Sequence, residues 1–321
     1  MRDALLVEVV RGGIVESVHR GSVVILDESG EVRGSIGDVT APMFARSSLK
    51  PVQASAMVAA GLDLDSRLLA LVSASHSGGP WHIAGVEEIL AQHGLGASAL
   101  RCIEGMPLGS AERDAYVRDG GVADRIHFNC SGKHAGMVAT SSLHGWDLPT
   151  YLDPMHPLQQ RIRERLEVLA RESVAEVTVD GCGAPLFAIS LTALARAIRA
   201  IAIADPSTPE GMVAGAMRAY PEMVGGPGRD DTVAMQLMPG LIAKGGAEGV
   251  YVMALPDGRA FAAKVSDGAN RGYEPVVRAV LRAWGLAEDA VAQLPVPAVL
   301  GGGRSMGRVS VAADVAGLLG A

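Results

Sequence analysis

The chain is poor in aromatic side chains, with four Phe, five Tyr and three Trp among 321 residues. Stacking platforms for single-stranded nucleic acid are therefore effectively absent, and the core must be built from Ala, Val, Leu and Met. Positive charge is not in excess either. Twenty-eight Lys plus Arg stand against 35 Asp plus Glu, a net charge of −7 without blocks of like sign, so no basic stripe exists to neutralise phosphates. Nucleic acid is not an expected partner. No apolar run reaches the ~18 residues of a membrane span; Gly181 to Ala195 is uncharged but is interrupted by Pro and polar residues. No membrane partner is expected. Arg2 and a short apolar run broken by Glu8 lack the core and cleavage pattern of a signal peptide. A cytoplasmic protein follows as the expectation. Cysteine is scarce, and Cys102, Cys130 and Cys182 cannot all pair, so free thiols are the default.

What is present is an apolar fraction of 49%, enough to exclude disorder and to build a sizeable core. Residues 5 to 38 read as three antiparallel strands: Leu5, Val7 and Val9 alternate, Gly12-Gly13 turns, Val23 to Leu26 runs apolar, and Glu28 to Glu31 turns again. From Ser47 to Ala60 the period becomes helical, with Pro51 in the first turn and Gly61 as the stop. The same signals predict helices over 80–92, 131–144, 157–171, 190–203, 209–220 and 274–284, with a short strand over 174–179. Val250 to Leu255 and Arg259 to Val265, separated by Pro256-Asp257-Gly258, predict a hairpin. Strands at both ends with helices between them imply an α+β fold: one antiparallel sheet from the N- and C-terminal segments, with an inserted helical lobe. The expected organisation is a single domain over 1–321, its sheet lobe at about 1–45 and 240–321 and its helical lobe at about 46–239.

Four constellations could carry chemistry. In Arg46-Ser47-Ser48-Leu49-Lys50-Pro51, residues three apart share a helix face, so Ser47 can meet Lys50 whereas Ser48 cannot. A hydroxyl becomes a nucleophile with a base in reach, and a lysine of lowered pKa can serve; the plain alternative is an N-cap beside a solvated lysine. Ser73-Ala74-Ser75-His76-Ser77-Gly78 places hydroxyls and an imidazole at a junction before a helix, where capping alone could explain them. Cys130, Lys133 and His134 open another helix, and Cys182 lies in the Gly-rich Asp180-Gly181-Cys182-Gly183. Two thiolates with a nitrogen ligand suit zinc; histidine is the usual nitrogen, and Lys133 could serve only after losing its proton. Buried structural thiols are the alternative. Lys244, followed by Gly245-Gly246-Ala247-Glu248-Gly249, is similar to the lysine-bearing strand of serine acyl-transfer enzymes. Gly301-Gly302-Gly303-Arg304-Ser305 lacks the Gly-Lys-Ser/Thr of a phosphate loop.

Taken in order, the first three constellations, Lys244 to Gly249 and Asp267-Gly268-Ala269-Asn270-Arg271 resemble the bacterial asparaginase II family, the rhizobial-type L-asparaginases. The resemblance runs from about Val7 to Val309, and departs from the family's usual Asn-containing form only in the C-terminal Gly-rich stretch. It implies a serine β-lactamase/glutaminase-like fold and hydrolysis of L-asparagine to L-aspartate and ammonia, in asparagine catabolism, by a homodimer. It also implies two Ser-Lys pairs, Ser47 with Lys50 and Ser75 with Lys244, and a zinc site at Cys130, Lys133 and Cys182, which favours Lys133 over His134. Ser75 is preferred to Ser77 on the same ground. Arg46, His134 and Asp180 are expected to hold the substrate's charged ends. The competing readings are a glutaminase or penicillin-recognising serine hydrolase on the same fold, and a non-catalytic zinc-binding or redox-sensing protein.

Overall fold

The computed structural model of the chain describes residues 3–319. Strands β1 (Ala4–Arg11) and β2 (Ile14–Leu26) are joined by Gly12 and Gly13 at φ 53° and 90°, a left-handed turn that glycine enters without a Cβ clash. Asp27 then accepts from the amides of Ser29, Gly30 and Glu31, closing the turn into β3 (Val32–Ile36). After the short β4 (Pro42–Phe44) come a 3-10 turn over Arg46–Leu49 and α1 (Lys50–Ala59). The single helix expected from Ser47 thus begins one turn tighter than α, and no side chain caps it.

The central segment carries α2 (Ser66–Val72), α3 (Pro80–Gln92), α4 (Ser110–Arg118), α5 (Ser131–Leu143) and α6 (Pro157–Ala170). It continues with β5 (Glu176–Val179), β6 (Pro185–Ser190), α7 (Leu191–Ala202), α8 (Pro209–Ala219), α9 (Pro221–Val224) and α10 (Asp230–Leu237). Ser190 and Thr208 cap α7 and α8 by accepting from Ala193 and Gly211 amides. The inserted lobe is not purely helical, because β4, β6 and β5 form a small antiparallel sheet within it. Every residue of β6 is buried, and so short an apolar run carries no period that would separate it from the helix it leads into.

The chain then returns to the main sheet through β7 (Ile242–Gly246), β8 (Val250–Ala254) and β9 (Ala260–Val265). It ends with α11 (Glu274–Ala283), α12 (Glu288–Val291), the small hairpin β10 (Leu300–Gly301) and β11 (Arg304–Ser305), β12 (Gly307–Val311) and α13 (Ala313–Leu319). The main sheet runs β12-β1-β2-β9-β8-β7, with β3 also on β2, and its pairs are antiparallel. Both chain ends therefore build one sheet, as expected. All of β8 is buried, which requires cover on both faces; α7 packs on β2, β8 and β9, and α11 on β1 and β12. Among the described residues no helix is long and apolar enough to cross a membrane. The edge strand β7 runs beside the 3-10 turn at Arg46–Leu49, where Ser48 Oγ donates to the Lys244 carbonyl at 3.3 Å. A Cβ on Gly246 would stand 2.8 Å from Ser48 Oγ, so this approach requires glycine.

Candidate active site

At the seam between β7 and the 3-10 turn lies a cavity of about 210 Å³ lined by Ser47, Ser75, Asn129, Arg229, Asn270 and Tyr273 among others. Ser47 reaches it from the uncapped helix start. There the Ser48 amide bonds the Ala45 carbonyl, while no side chain satisfies the first amides of the turn. Arg46, just before it, is held at φ 53°, a sparsely populated conformation for a side-chain-bearing residue. Ser75 arrives on the extended segment after α2, whose amides at Ser75, His76 and Ser77 bond the carbonyls of Val224, Asn129 and Gly225. That pinning aims Ser75 into the cavity, whereas Ser77 Oγ donates to the Gly225 carbonyl at 2.9 Å.

The lysines are distributed differently from the pairing expected of them. Lys50, 1% exposed, donates to Ser75 Oγ at 2.9 Å, to Cys130 Sγ at 3.1 Å and to the Ala74 carbonyl. It lies one turn from Ser47, its amide bonding the Ser47 carbonyl, but its ammonium points to Ser75. Lys244, also buried, donates to Asp231 Oδ2 at 3.3 Å and to the Gly245 carbonyl at 2.8 Å, not to Ser75. The physical reason is charge: Asp231 is fully buried, and a buried carboxylate recruits the nearest cation. Burial pulls the Lys244 pKa down to about 8; the Asp231 carboxylate opposes this, and Lys50 and Arg229 add to it.

Behind Lys50 the sequence-distant thiols come together. Lys133 Nζ donates to Cys182 Sγ at 3.1 Å, while Cys130 holds Lys50. Cys182 is drawn strongly below the ordinary thiol range by its hydrogen bond with Cys130, against burial, and further by Lys133. The same bond, with burial, pushes Cys130 up. Burial would lower Lys133, but the neighbouring Cys182, Cys130 and Asp180 outweigh it and leave its pKa raised. His134 also adjoins Cys182; its Nδ1 pairs with Tyr151 Oη at 2.6 Å, its buried Nε2 has no hydrogen-bond partner, and burial keeps the ring neutral. Among the described residues no three His, Cys, Asp or Glu side chains are grouped to hold a metal, so two sulfurs and the Lys133 amine are the donor set available. Cys102 is a buried thiol pushed up to about 11 by burial.

The residues expected to hold substrate are engaged elsewhere. Arg46 is paired with Asp180 at 2.7 Å, an ion pair that also braces the strained backbone before Ser47, and His134 is fully buried behind the thiols. The cavity instead presents Arg229, Asn129, Asn270 and Tyr273. Asn270 falls inside the Asp267 to Arg271 string, but Arg229 and Asp231 were not legible, because they belong to a Gly-Pro-Gly loop and a short helix with no local pattern of their own.

A small cavity bearing two serine hydroxyls, backed by buried lysines at the edge of an antiparallel sheet, is the equipment of a hydrolase. The chain belongs to the L-asparaginase II family, whose model matches residues 7–311. The curated proteins contain no match. Among solved structures the chain is similar to a protein described as a beta-lactamase from Bacteroides dorei, at 15% identity and TM-score 0.44, covering 78% of this chain and 86% of that one. It is also similar to simvastatin synthase from Aspergillus terreus, at 14% identity and TM-score 0.36, covering 77% and 86%. A third is EstCE1, a hydrolase with promiscuous acyltransferase activity, at 12% identity and TM-score 0.35, covering 84% and 91%. These are likenesses of chain path alone.

Proposed function

We propose that the protein is an L-asparaginase that hydrolyses the side-chain amide of L-asparagine through an ester on Ser47. The observation that carries this reading is the hydrogen bond from Lys50 to Ser75 at 2.9 Å, one helical turn from Ser47. Lys50 thus holds one hydroxyl of the cavity directly and lies a turn from the other. Ser47 Oγ attacks the amide carbon as Lys50, one turn away, serves as the base that takes its proton. Backbone amides at the uncapped turn, that of Ser47 among them, would receive the oxyanion. The carbon–nitrogen bond then breaks as Ser75 protonates the departing nitrogen and regains a proton from Lys50. Water, deprotonated by Lys50, attacks the ester carbon; the bond to Ser47 Oγ breaks as Lys50 returns the proton to that oxygen, and aspartate is released. Lys244, held by Asp231 rather than by Ser75, contributes as a buried cation near the site while that proton leaves.

Cys130, Lys133 and Cys182 fit zinc in donor chemistry, two sulfurs and an amine with one sulfur already drawn toward thiolate. The ion would supply positive charge for positioning substrate, since a serine nucleophile is already available. The cavity of about 210 Å³ is small beside the roughly 300–1,000 Å³ of sites for drug-sized ligands, which favours an amino-acid amide over a penicillin. The test is ammonia release from asparagine and glutamine: Ser47→Ala and Lys50→Ala should each abolish it while circular dichroism stays native, and Ser48→Ala should be far milder. An active Ser47→Ala protein would remove the ester intermediate from this reading.

A further inference from the structure

Arg229 is the cation of the cavity that no carboxylate pairs with directly among the described residues, although its charge bears on the buried Asp230 and Asp231. The others near the site are engaged: Lys50 by Ser75 and Cys130, Lys244 by Asp231, Arg46 by Asp180. Arg229 lines the cavity with Ser47 and Ser75, and among the described residues its guanidinium has neither an ion pair nor a side-chain hydrogen bond. The two acids that follow it in sequence are turned to other partners. Asp230 Oδ2 accepts from Tyr273 Oη at 2.7 Å, and Asp231 faces Lys244 and the Gly245 amide. The segment is fixed in this attitude, since the Arg229 amide bonds the Gly226 carbonyl and Thr232 Oγ1 bonds the Pro221 carbonyl.

A guanidinium offers five N–H donors in a planar fork that matches a carboxylate with two parallel bonds. With its fork unpaired beside two serine hydroxyls, it can take a carboxylate from the substrate. We infer that Arg229 is the specificity-determining residue that receives the substrate's carboxylate, so that the site acts on small amides whose carboxylate is separated from the amide carbon by two carbons. This rests on the amide-hydrolase reading above. It replaces Arg46, His134 and Asp180 as the expected anchor, and it makes the reach from Arg229 to Ser47 the measure of substrate length. Asn129 and Asn270 line the same cavity as neutral amides and leave the charge complementarity to Arg229.

The test compares L-asparagine, succinamate, which keeps the carboxylate and lacks the amine, and 3-aminopropanamide, which keeps the amine and lacks the carboxylate. With the unaltered protein, kcat/KM should be high for the first two and at least tenfold lower for the third. Arg229→Gln should raise KM for asparagine and succinamate by roughly ten- to hundredfold, the usual cost of a lost charge-assisted pair, with a much smaller change in kcat. Its loss on 3-aminopropanamide should be several-fold smaller than on asparagine, and Arg229→Lys should recover part of the loss on asparagine. An Arg229→Gln protein that still prefers asparagine over 3-aminopropanamide would overturn the assignment. Should the unaltered protein release no ammonia from any of the three, the hydrolase reading fails, and calorimetry with succinamate then decides Arg229 separately: binding lost in Arg229→Gln supports the anchor, and equal or absent binding in both proteins overturns it.

Discussion

Asp231 and Lys244 are both almost fully buried, and at 3.3 Å each is the other's main compensation for leaving water. Burial brings Lys244 down to about 8, and the Asp231 carboxylate keeps it from falling further. If Lys244 must be protonated while Ser75 gives up its proton, kcat/KM should decline on the alkaline side near that value. Asp231→Asn removes the opposing charge, so the alkaline limb should move toward acid by about one pH unit. A limb in the same place, measured across pH 6 to 10, would separate Lys244 from the rate. The linkage has a definite sign as well. Between about 8 and the ordinary lysine range near 10.4 the unfolded chain binds the proton that the folded one has released, so stability attributable to Lys244 rises with pH across that window. Cysteine chemistry makes the other residue-scale prediction. One zinc per chain should be retained by Cys102→Ala and lost on Cys182→Ala, with the loss felt in KM for asparagine rather than in kcat. Zinc retained by a Cys130→Ala, Cys182→Ala double variant, assayed by elemental analysis, would place the metal elsewhere.

Helix α5 presents Cys130 and Lys133 to the site because it can press close against α2. A Cβ on Gly132 would meet the Leu71 carbonyl at 2.4 Å, and one on Gly136 would meet Val72 at 2.9 Å. Backbone lies in the way at Gly132, so the neighbour cannot turn aside as a flexible side chain could. Gly132→Ala should therefore destabilise the protein by about 1–3 kcal/mol despite alanine's better helix propensity, read as a lower urea midpoint with little change in slope. The same substitution should weaken zinc binding, since it moves the turn carrying both donors. An unchanged midpoint would mean that α5 is free to retreat. At this scale the sequence was most legible where one residue dictates a local conformation. Pro80, Pro157 and Pro209 open α3, α6 and α8 at the expected positions, and Gly12-Gly13 turns β1 into β2. It was least legible where tertiary partners decide. β6 has no period, α4 has no buried residue to create one, and the destinations of Lys50 and Lys244 depend on Cys130 and Asp231, distant in sequence. Spacing placed Lys50 beside Ser47 but could not say that its nitrogen would go to Ser75.

The molecule as a whole is closed by a pairing between its two ends. Val7 lies opposite Val311 and Arg11 opposite Gly307, and the Ala312 amide bonds the Leu6 carbonyl, so β12 covers the outer edge of β1. Helix α13 follows at once and buries Val315 completely. No part of this seam touches the cavity, which lies at the other edge of the sheet beside β7. Ending the chain at Met306 should nevertheless threaten the site, because β1 would become an open edge and the apolar cover over it would be gone. Val315 alone contributes about 1.5–3 kcal/mol by its burial, and the ladder hydrogen bonds of β12 are lost with it. Chains that must join their first and last strands also fold slowly, since loop closure precedes any reward from the contact. The truncated protein should therefore show a lower urea midpoint without slower refolding, while the asparagine kcat of the fraction that remains folded stays near that of the full chain. That combination would show the terminal pairing to be a closure of the sheet, distinct from the chemistry at β7. A truncated protein whose midpoint is unchanged would show instead that β12 and α13 lie on a sheet already complete without them.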